Sequence, residues 1–366
     1  MRPSLKIGLY VPTLLGGGAQ RVMVMLANSF ANSDISTDLV LSRATGPYIE
    51  QVSEKVNLVN LNASRTLTSI PSLVSYFKRK QPCAVLATQV HANVAAAIAH
   101  NISGSGARLV LRQPSPWSNY IASERNKAIK DKLIEWASHW AYQYADSIVA
   151  ISKAVAESVI NELKIGDENV HRIYNPVDTR QIIKGASVSV NGLPSNVPII
   201  IGVGSLGPQK DFETLVRAFA RIRRKREAHL CILGEGGRRR ELEKIAKKLN
   251  IHGSISMPGF VGNPFAYMQA ADVFALSSKY EGFGNVLVEA MTCGTPVVST
   301  DCPGGPSEIL AEGVYGELVP VGEPDALAKV ISEMICNPTD SQKLKERAKE
   351  FDISRVKKKY QNVLVG

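Results

Sequence analysis

Glu281 and Glu289 stand eight residues apart in the run Y-E-G-F-G-N-V-L-V-E at 280–289, which continues as Ala290-Met291-Thr292-Cys293-Gly294-Thr295-Pro296. Gly282 and Gly284 punctuate the turn around the first carboxylate and let the backbone approach a ligand closely. Val286, Leu287, Ala290 and Met291 then follow at the spacing of a buried helical face. The amides of Phe283, Gly284 and Asn285, with Val286 beside them, become first-turn donors without an intrahelical partner, which is an anion site. A diphosphate held there leaves Glu281 and Glu289 to accept hydrogen bonds from a hydroxyl-rich group on either side. A nucleotide-linked sugar has that profile, ribose at one end and hexose at the other. A glycine-rich turn ahead of a helix is also a plain structural device in α/β proteins, and spacing alone does not separate the two.

Such a turn has to be delivered by a strand and braced by a helix. The chain alternates short β-branched runs with helical patterns, which predicts an α/β fold with parallel sheets flanked by helices. Strands are expected at 6–11, 37–42, 57–61, 84–88, 108–112 and 147–152, and a helix at 19–30 with Val22, Met25, Leu26 and Phe30 on one face. After a polar, proline-containing stretch at 184–198 the series restarts, with strands at 199–204, 228–234, 254–258, 273–277 and 296–299. A chain of 366 residues fits two domains, since single cores stop growing well below that size. The boundary is expected in the proline-containing stretch, giving domains 1–190 and 191–349.

Ligands in open α/β sheets sit beyond the carboxyl ends of strands, so the loops there hold the remaining candidates. Gly16, Gly17 and Gly18 follow the first strand and leave a bare backbone at a helix start. They lack the G-x-G-x-x-G spacing of a dinucleotide fingerprint, and a tight turn is the plain alternative. Ser205 and Lys210 follow the first strand of the second half, and Gly234 ends the next. His91 and Asn93 follow strand four; Arg112, Gln113 and Ser115 follow strand five. Asp301 sits past a strand end, either as a helix cap or as a sugar contact. The five cysteines have no metal-like spacing and no Asp-x-Asp cluster is present, so neither a disulfide framework nor a metal site is expected.

The combined pattern resembles the retaining glycosyltransferases of family GT4. Beyond the Glu-x7-Glu run, the resemblance is carried by the Gly-Gly-Gly loop, Ala145-Asp146-Ser147 through Ser152, Tyr174-Asn175-Pro176-Val177-Asp178, Gly204 to Lys210, Gly234-Glu235-Gly236, Gly259-Phe260-Val261 and Asp301-Cys302-Pro303-Gly304-Gly305-Pro306. It implies the GT-B architecture, two Rossmann-like domains facing across a cleft, with a terminal helix at about 350–366 returning to the first domain. The first domain would bind the acceptor and the second the donor. Glu281 would orient the hexose, Glu289 would grip the ribose, Lys210 would neutralise the diphosphate, and the backbone at Val261 would meet the base. Gly234 would lie near the nucleotide, and Gly17 and Gly18 would face the diphosphate. Family members commonly carry an arginine where this chain has Ser205; Arg21, Arg112 and Arg238 are the candidates to replace it. Some relatives place a histidine near the reacting sugar in the loop after strand five; here His91 or Arg112 would serve. The implied enzyme uses no metal and no cofactor beyond its nucleotide-sugar substrate, for which UDP is the preferred carrier. The implied acceptor is a lipid-diphosphate-linked saccharide of a bacterial surface glycan. A soluble transferase on a small acceptor, a nucleotide-sugar epimerase and a degenerate binding protein are the alternatives.

Charge bears on the acceptor. The formal net charge is +10, and residues 1–195 carry 20 Lys and Arg against 13 Asp and Glu, while 196–366 carry 23 against 20. A basic first half suits an anionic partner such as a phospholipid surface. Nucleic acid is not expected, because no zinc-finger spacing, aromatic RNA-binding pattern or long basic helix accompanies the charge. No apolar run reaches the length of a membrane span, and residues 1–12 read as a first strand rather than a secretion signal. The expected location is cytoplasmic, peripheral to the inner face of the plasma membrane.

Overall fold

A computed structural model describes residues 5–118, 129–190 and 192–366, with backbone alone at 129–132. The chain divides into two compact units, Met1–Val177 with Ile353–Gly366, and Asp178–Asp352.

The first unit is built on seven parallel strands: β1 (Lys6–Val11), β2 (Ser36–Leu41), β3 (Asn57–Asn60), β4 (Ala84–Thr88), β5 (Arg108–Gln113), β6 (Ser147–Ala150) and β7 (Val170–Arg172). Their order is β3-β2-β1-β4-β5-β6-β7. The central strands are apolar along their whole length because helices cover both faces. Helix Gly18–Ala31 buries Val22, Met23, Leu26 and Phe30 against β1 and β2, and Met25 is half-buried beside them. The closing helix Ile353–Val365 returns to the same core through Val356, Tyr360, Val363 and Leu364. Arg108 Nε donates to the Val363 carbonyl at 2.8 Å, tying that helix to the start of β5.

The second unit holds six parallel strands: β8 (Ile199–Val203), β9 (His229–Leu233), β10 (Ile255–Gly259), β11 (Val273–Leu276), β12 (Val297–Thr300) and β13 (Glu317–Val319), ordered β10-β9-β8-β11-β12-β13. In each sheet the strand order reverses once, between β1 and β4 and between β8 and β11. Ligands in doubly wound sheets bind at that reversal, beyond the carboxyl ends. Strands β7 and β13 were not expected. Each is an edge strand of three residues, too short for an alternating or apolar run to register.

The boundary is also displaced. It falls at Val177/Asp178, not within 184–198 as domains 1–190 and 191–349 require. Asp178 caps helix Thr179–Ala186 by accepting from Gln181 N at 2.9 Å. That helix buries Ile182 and Ala186 and packs on helices Pro264–Gln269 and Asn285–Cys293 of the second unit. The Gly185 carbonyl accepts from Asn263 Nδ2 at 2.8 Å. The proline-containing stretch therefore begins inside that helix and belongs to the second unit. With the closing helix counted where it packs, the first unit has 22 Lys and Arg against 12 Asp and Glu, and the second 21 against 21. All of the net charge belongs to the first unit. Among the described residues, no helix is long and apolar enough to cross a membrane.

Candidate active site

The loops after β8 and β11 meet at the strand-order reversal of the second sheet. Lys279 N donates to the Gln209 carbonyl at 2.8 Å, and Gln209 Nε2 donates to the Tyr280 carbonyl at 3.0 Å. This stitching brings Lys210 to Glu281, with Nζ 2.6 Å from Oε1 and side chains only 14% and 8% exposed. Ser278 Oγ donates to the same carboxylate oxygen at 2.6 Å. A nearly buried carboxylate is thus oriented by one cation and one hydroxyl, and its second oxygen carries neither of these bonds.

Neighbouring loops enclose this pair. Glu281 N donates to the Pro303 carbonyl at 2.9 Å, and Gly304 lies so close that a Cβ there would meet Glu281 O at 2.0 Å. Only glycine lets the loop after β12 close over the turn. On the other side, Leu206 N donates to Glu235 O and Gly234 N to Gly259 O, at 2.9 and 2.8 Å. A Cβ on Gly234, whose φ is +138°, would meet Gly204 O at 1.9 Å, so bare backbone is needed where the loops after β8 and β9 touch.

Helix Asn285–Cys293 starts directly after this turn, with Gly284 at its cap in a left-handed conformation (φ +100°). Three residues separate Glu281 from the first residue of this helix, and Val286 in its first turn is half-buried. Phe283 is buried, edge-on to Phe351 with ring centroids 5.6 Å apart, so its side chain anchors the turn. Glu289 is buried on the second turn. Burial, reinforced by the Glu281 charge, pushes the Cys302 thiol up to about 12. The same happens to Cys293, where burial comes first and Glu289 second. Both thiols stay protonated at neutral pH and are poor nucleophiles.

The structure corrects several expectations. Asp301 does not cap the helix Pro306–Leu310; Gly305 occupies that position, and the Asp301 side chain is exposed. Ser205 is exposed and brings no charge. Arg238 lies next to the loop after β8 through its amide, 3.0 Å from Leu206 O, but its guanidinium is held by Glu213 and Glu241. Those carboxylates raise its pKa, the hydrogen bond to Glu241 contributing most. Val261 sits half-buried after β10, next to Gly259 and Phe260.

In the first unit, Gly17 caps helix Gly18–Ala31 with φ +105°, and residues 16–18 are exposed. Gly16 N donates to Gln20 Oε1 at 2.7 Å, which holds the open loop. His91 is exposed at the start of helix Val90–Ser103, just past β4. Arg112 is not a ligand-facing cation. It is fully buried, and its guanidinium donates to Tyr360 Oη at 3.1 Å, Thr88 Oγ1 at 2.9 Å and Asn175 Oδ1 at 2.5 Å. It joins β4, β5 and the closing helix, and so cannot replace the arginine absent at Ser205 or serve near a sugar. Ser278 and Gln209, which organise the Glu281 turn, were missed. The Ser277-Ser278 pair at a strand end was the available signal.

Two family models cover nearly the whole chain: Glycosyltransferase Family 4 over residues 16–181 and Glycosyl transferases group 1 over residues 184–351. The chain is 30% identical over 268 residues to the Campylobacter jejuni N-acetylgalactosamine-N,N'-diacetylbacillosaminyl-diphospho-undecaprenol 4-alpha-N-acetylgalactosaminyltransferase, covering 72% of this chain and 71% of that one. It is 26% identical to the lipopolysaccharide core biosynthesis glycosyltransferase LpsE of Rhizobium meliloti, over 91% of this chain and 90% of the relative. The fold matches Anabaena HepE solved in complex with UDP and glucose, with a TM-score of 0.79 at 21% identity over 98% of this chain and 99% of that one. Two doubly wound parallel sheets, a paired lysine and glutamate at the strand-order reversal, and these matches together place the chain in the family 4 and group 1 glycosyltransferases, as a hexosyltransferase of GT-B fold.

Proposed function

We propose that this enzyme moves a hexosyl or N-acetylhexosaminyl group, with retention of configuration, from a UDP-linked donor to a lipid-diphosphate-linked saccharide of a bacterial surface glycan. The observation that carries the donor side is the Lys210–Glu281 contact of 2.6 Å beside the start of helix Asn285–Cys293. Lys210 and the first-turn amides supply positive charge where the departing diphosphate becomes negative, so the reaction runs without a metal. Glu281 orients the hexose through its hydroxyls while Glu289 holds the ribose. The neutral thiols of Cys293 and Cys302 fit a same-face transfer with no covalent protein intermediate.

Two observations support the acceptor side. The relatives from Campylobacter jejuni and Rhizobium meliloti are named for a diphospho-undecaprenol saccharide and for lipopolysaccharide core. The whole net charge of +10 sits on the first unit, which favours an enzyme working on the inner, anionic face of the plasma membrane over one with a soluble acceptor. The test is a panel of nucleotide-sugars scored by thermal shift, followed by NMR of the product anomer. A UDP-N-acetylhexosamine at 100 times its Kd is expected to add about 2.7 kcal/mol of stability. A panel that leaves the melting temperature unmoved, or a product of inverted configuration, defeats the reading.

A further inference from the structure

Helix Ile129–Tyr144 carries large apolar side chains on the side that faces water. Ser138, Ala141 and Tyr142 are buried against the first unit, and at 3.6 residues per turn they share one face. Leu133, Trp136 and Trp140 share the opposite one. Leu133 is 61% exposed and Trp136 71%. Trp140 is half-buried and stacked on Tyr144, with ring centroids 5.1 Å apart. A helix on the outside of a globular unit turns charged and polar residues to solvent, and large apolar side chains exposed side by side mark an interaction site.

The patch lies at a particular end of the sheet. Strands β5 and β6 are parallel neighbours, so the helix between them runs back antiparallel and starts on the carboxyl-end side. Its last residue is held at the other end. Tyr144 Oη lies 2.9 Å from His100 Nδ1, and His100 Nε2 lies 2.7 Å from the Ala107 carbonyl just ahead of β5. Exposure therefore rises toward the edge that also carries Gly16, Gly17, Gly18 and His91.

Charge selects the partner. The first unit has 22 Lys and Arg against 12 Asp and Glu, and Lys130 and Lys132 belong to this helix in sequence. A second copy of the chain would bring the same positive charge to the patch and be repelled, whereas anionic headgroups are attracted. Tryptophan and tyrosine rings settle where headgroups meet acyl chains, and a helix lying in that plane buries its apolar face there.

We propose that helix Ile129–Tyr144 is the membrane-docking element, and that it inserts Leu133 and Trp136 into the headgroup region of an anionic bilayer. The proposal rests on the reading of a membrane-held acceptor and goes beyond it by assigning attachment to one helix face. Attraction of the basic unit and shallow insertion of two side chains are two weak signals that together hold a protein at a surface.

The experiment measures binding of the full chain to phosphatidylglycerol vesicles at low salt. It compares the wild type, the double variant Leu133→Ser/Trp136→Ser, Trp136→Phe, and Val314→Ser, which removes an apolar residue 55% exposed on the second unit. The double variant is expected to bind at least about tenfold more weakly, as suits the loss of two inserted apolar side chains, with an unchanged melting temperature. Val314→Ser binds as the wild type does. Wild-type tryptophan emission shifts to the blue on vesicles and is quenched by acyl-brominated lipid; Trp136→Phe keeps its affinity and loses the larger part of that response. Binding of the double variant within twofold of a wild type that itself sediments assigns attachment to charge alone and overturns the proposal. A wild type that is dimeric by light scattering, with a monomeric double variant, makes the patch a self-interface and overturns it too. A wild type that does not bind these vesicles overturns the membrane-held reading, and this proposal with it.

Discussion

Lys210 Nζ and Glu281 Oε1 lie 2.6 Å apart although 71 residues separate them in the chain. Each is almost enclosed, so the unbound site is electrically neutral at its centre. On the proposed function, an incoming diphosphate would take a share of Lys210 from Glu281 and free the carboxylate to turn both oxygens toward sugar hydroxyls. Removing either partner leaves the other charge uncompensated in a poorly hydrated place. Lys210→Met is expected to cost about 3 kcal/mol of stability as well as donor affinity. Denaturant melts and calorimetric donor titration check the two effects separately.

The two glutamates should separate kinetically. Glu281→Ala is expected to lower kcat by at least about 100-fold, because orientation of the reacting sugar acts on the transition state. Glu289→Gln is expected to raise KM for the donor by about tenfold with a smaller change in kcat, as loss of one charged hydrogen bond to a hydroxyl predicts. Steady-state kinetics with the donor varied decides it. Wild-type constants in both variants remove the assignment.

Arg112 serves the scaffold. Arg112→Met breaks three buried hydrogen bonds to Thr88, Asn175 and Tyr360 and is expected to cost about 3 kcal/mol, since orphaned buried polar groups cost about 1–3 kcal/mol each and the apolar side chain recovers part. At a temperature where the variant is folded, kcat and KM should stay within threefold of wild type. A large fall in kcat with an unchanged melting temperature would restore a role in the reaction.

Alkaline pH should weaken the fold through two thiols. Cys293 and Cys302 are held at about 12 in the folded state against an ordinary value of 9.0. Below pH 9 both states keep the proton and the contribution is intact. From about 9 to about 12 only the unfolded chain releases it, so stability falls by roughly 1.4 kcal/mol per pH unit for each thiol. Denaturant melts between about pH 10 and 11 should show a slope reduced by nearly that amount in Cys302→Ala, with no difference in slope below about pH 8. Exposed Cys83 and Cys336 should react with a thiol reagent in the native state, while Cys293 and Cys302 react only on unfolding.

The first unit should carry the protein to anionic surfaces. Sedimentation with phosphatidylglycerol vesicles is expected at 50 mM salt, with release at 500 mM as screening shortens the reach of the charge, and no sedimentation with phosphatidylcholine. Equal binding to both lipids at both salt concentrations contradicts an electrostatic attachment.

Much of the fold is written locally. Apolar runs of strand length alternate with helical periodicity from Lys6 onward, so two parallel-sheet halves could be read directly. The Glu-x7-Glu run with its glycines, and Lys210 after a strand, marked the candidate site, and the structure brings Lys210 and Glu281 together there; close backbone approach and first-turn amides are local properties. Edge strands β7 and β13 were illegible since three residues carry no period. The proline-containing stretch at 184–198 misled because composition does not tell a linker from a surface loop; the packing of Ile182 and Ala186 does.

The amino-acid order alone determined which groups could do the chemistry: two glutamates, a lysine, bare glycine turns and no arginine at Ser205. Tertiary structure decided which of them meet and which are withdrawn. Lys210 reaches Glu281 only because β8 and β11 are neighbours in the sheet, a long-range pairing that local propensity does not encode. Arg112 is lost to ligands because the closing helix brings Tyr360 over it from 248 residues away. That same return moves four basic residues, Arg355, Lys357, Lys358 and Lys359, onto the first unit, and turns a mild charge gradient along the chain into one basic unit and one neutral one.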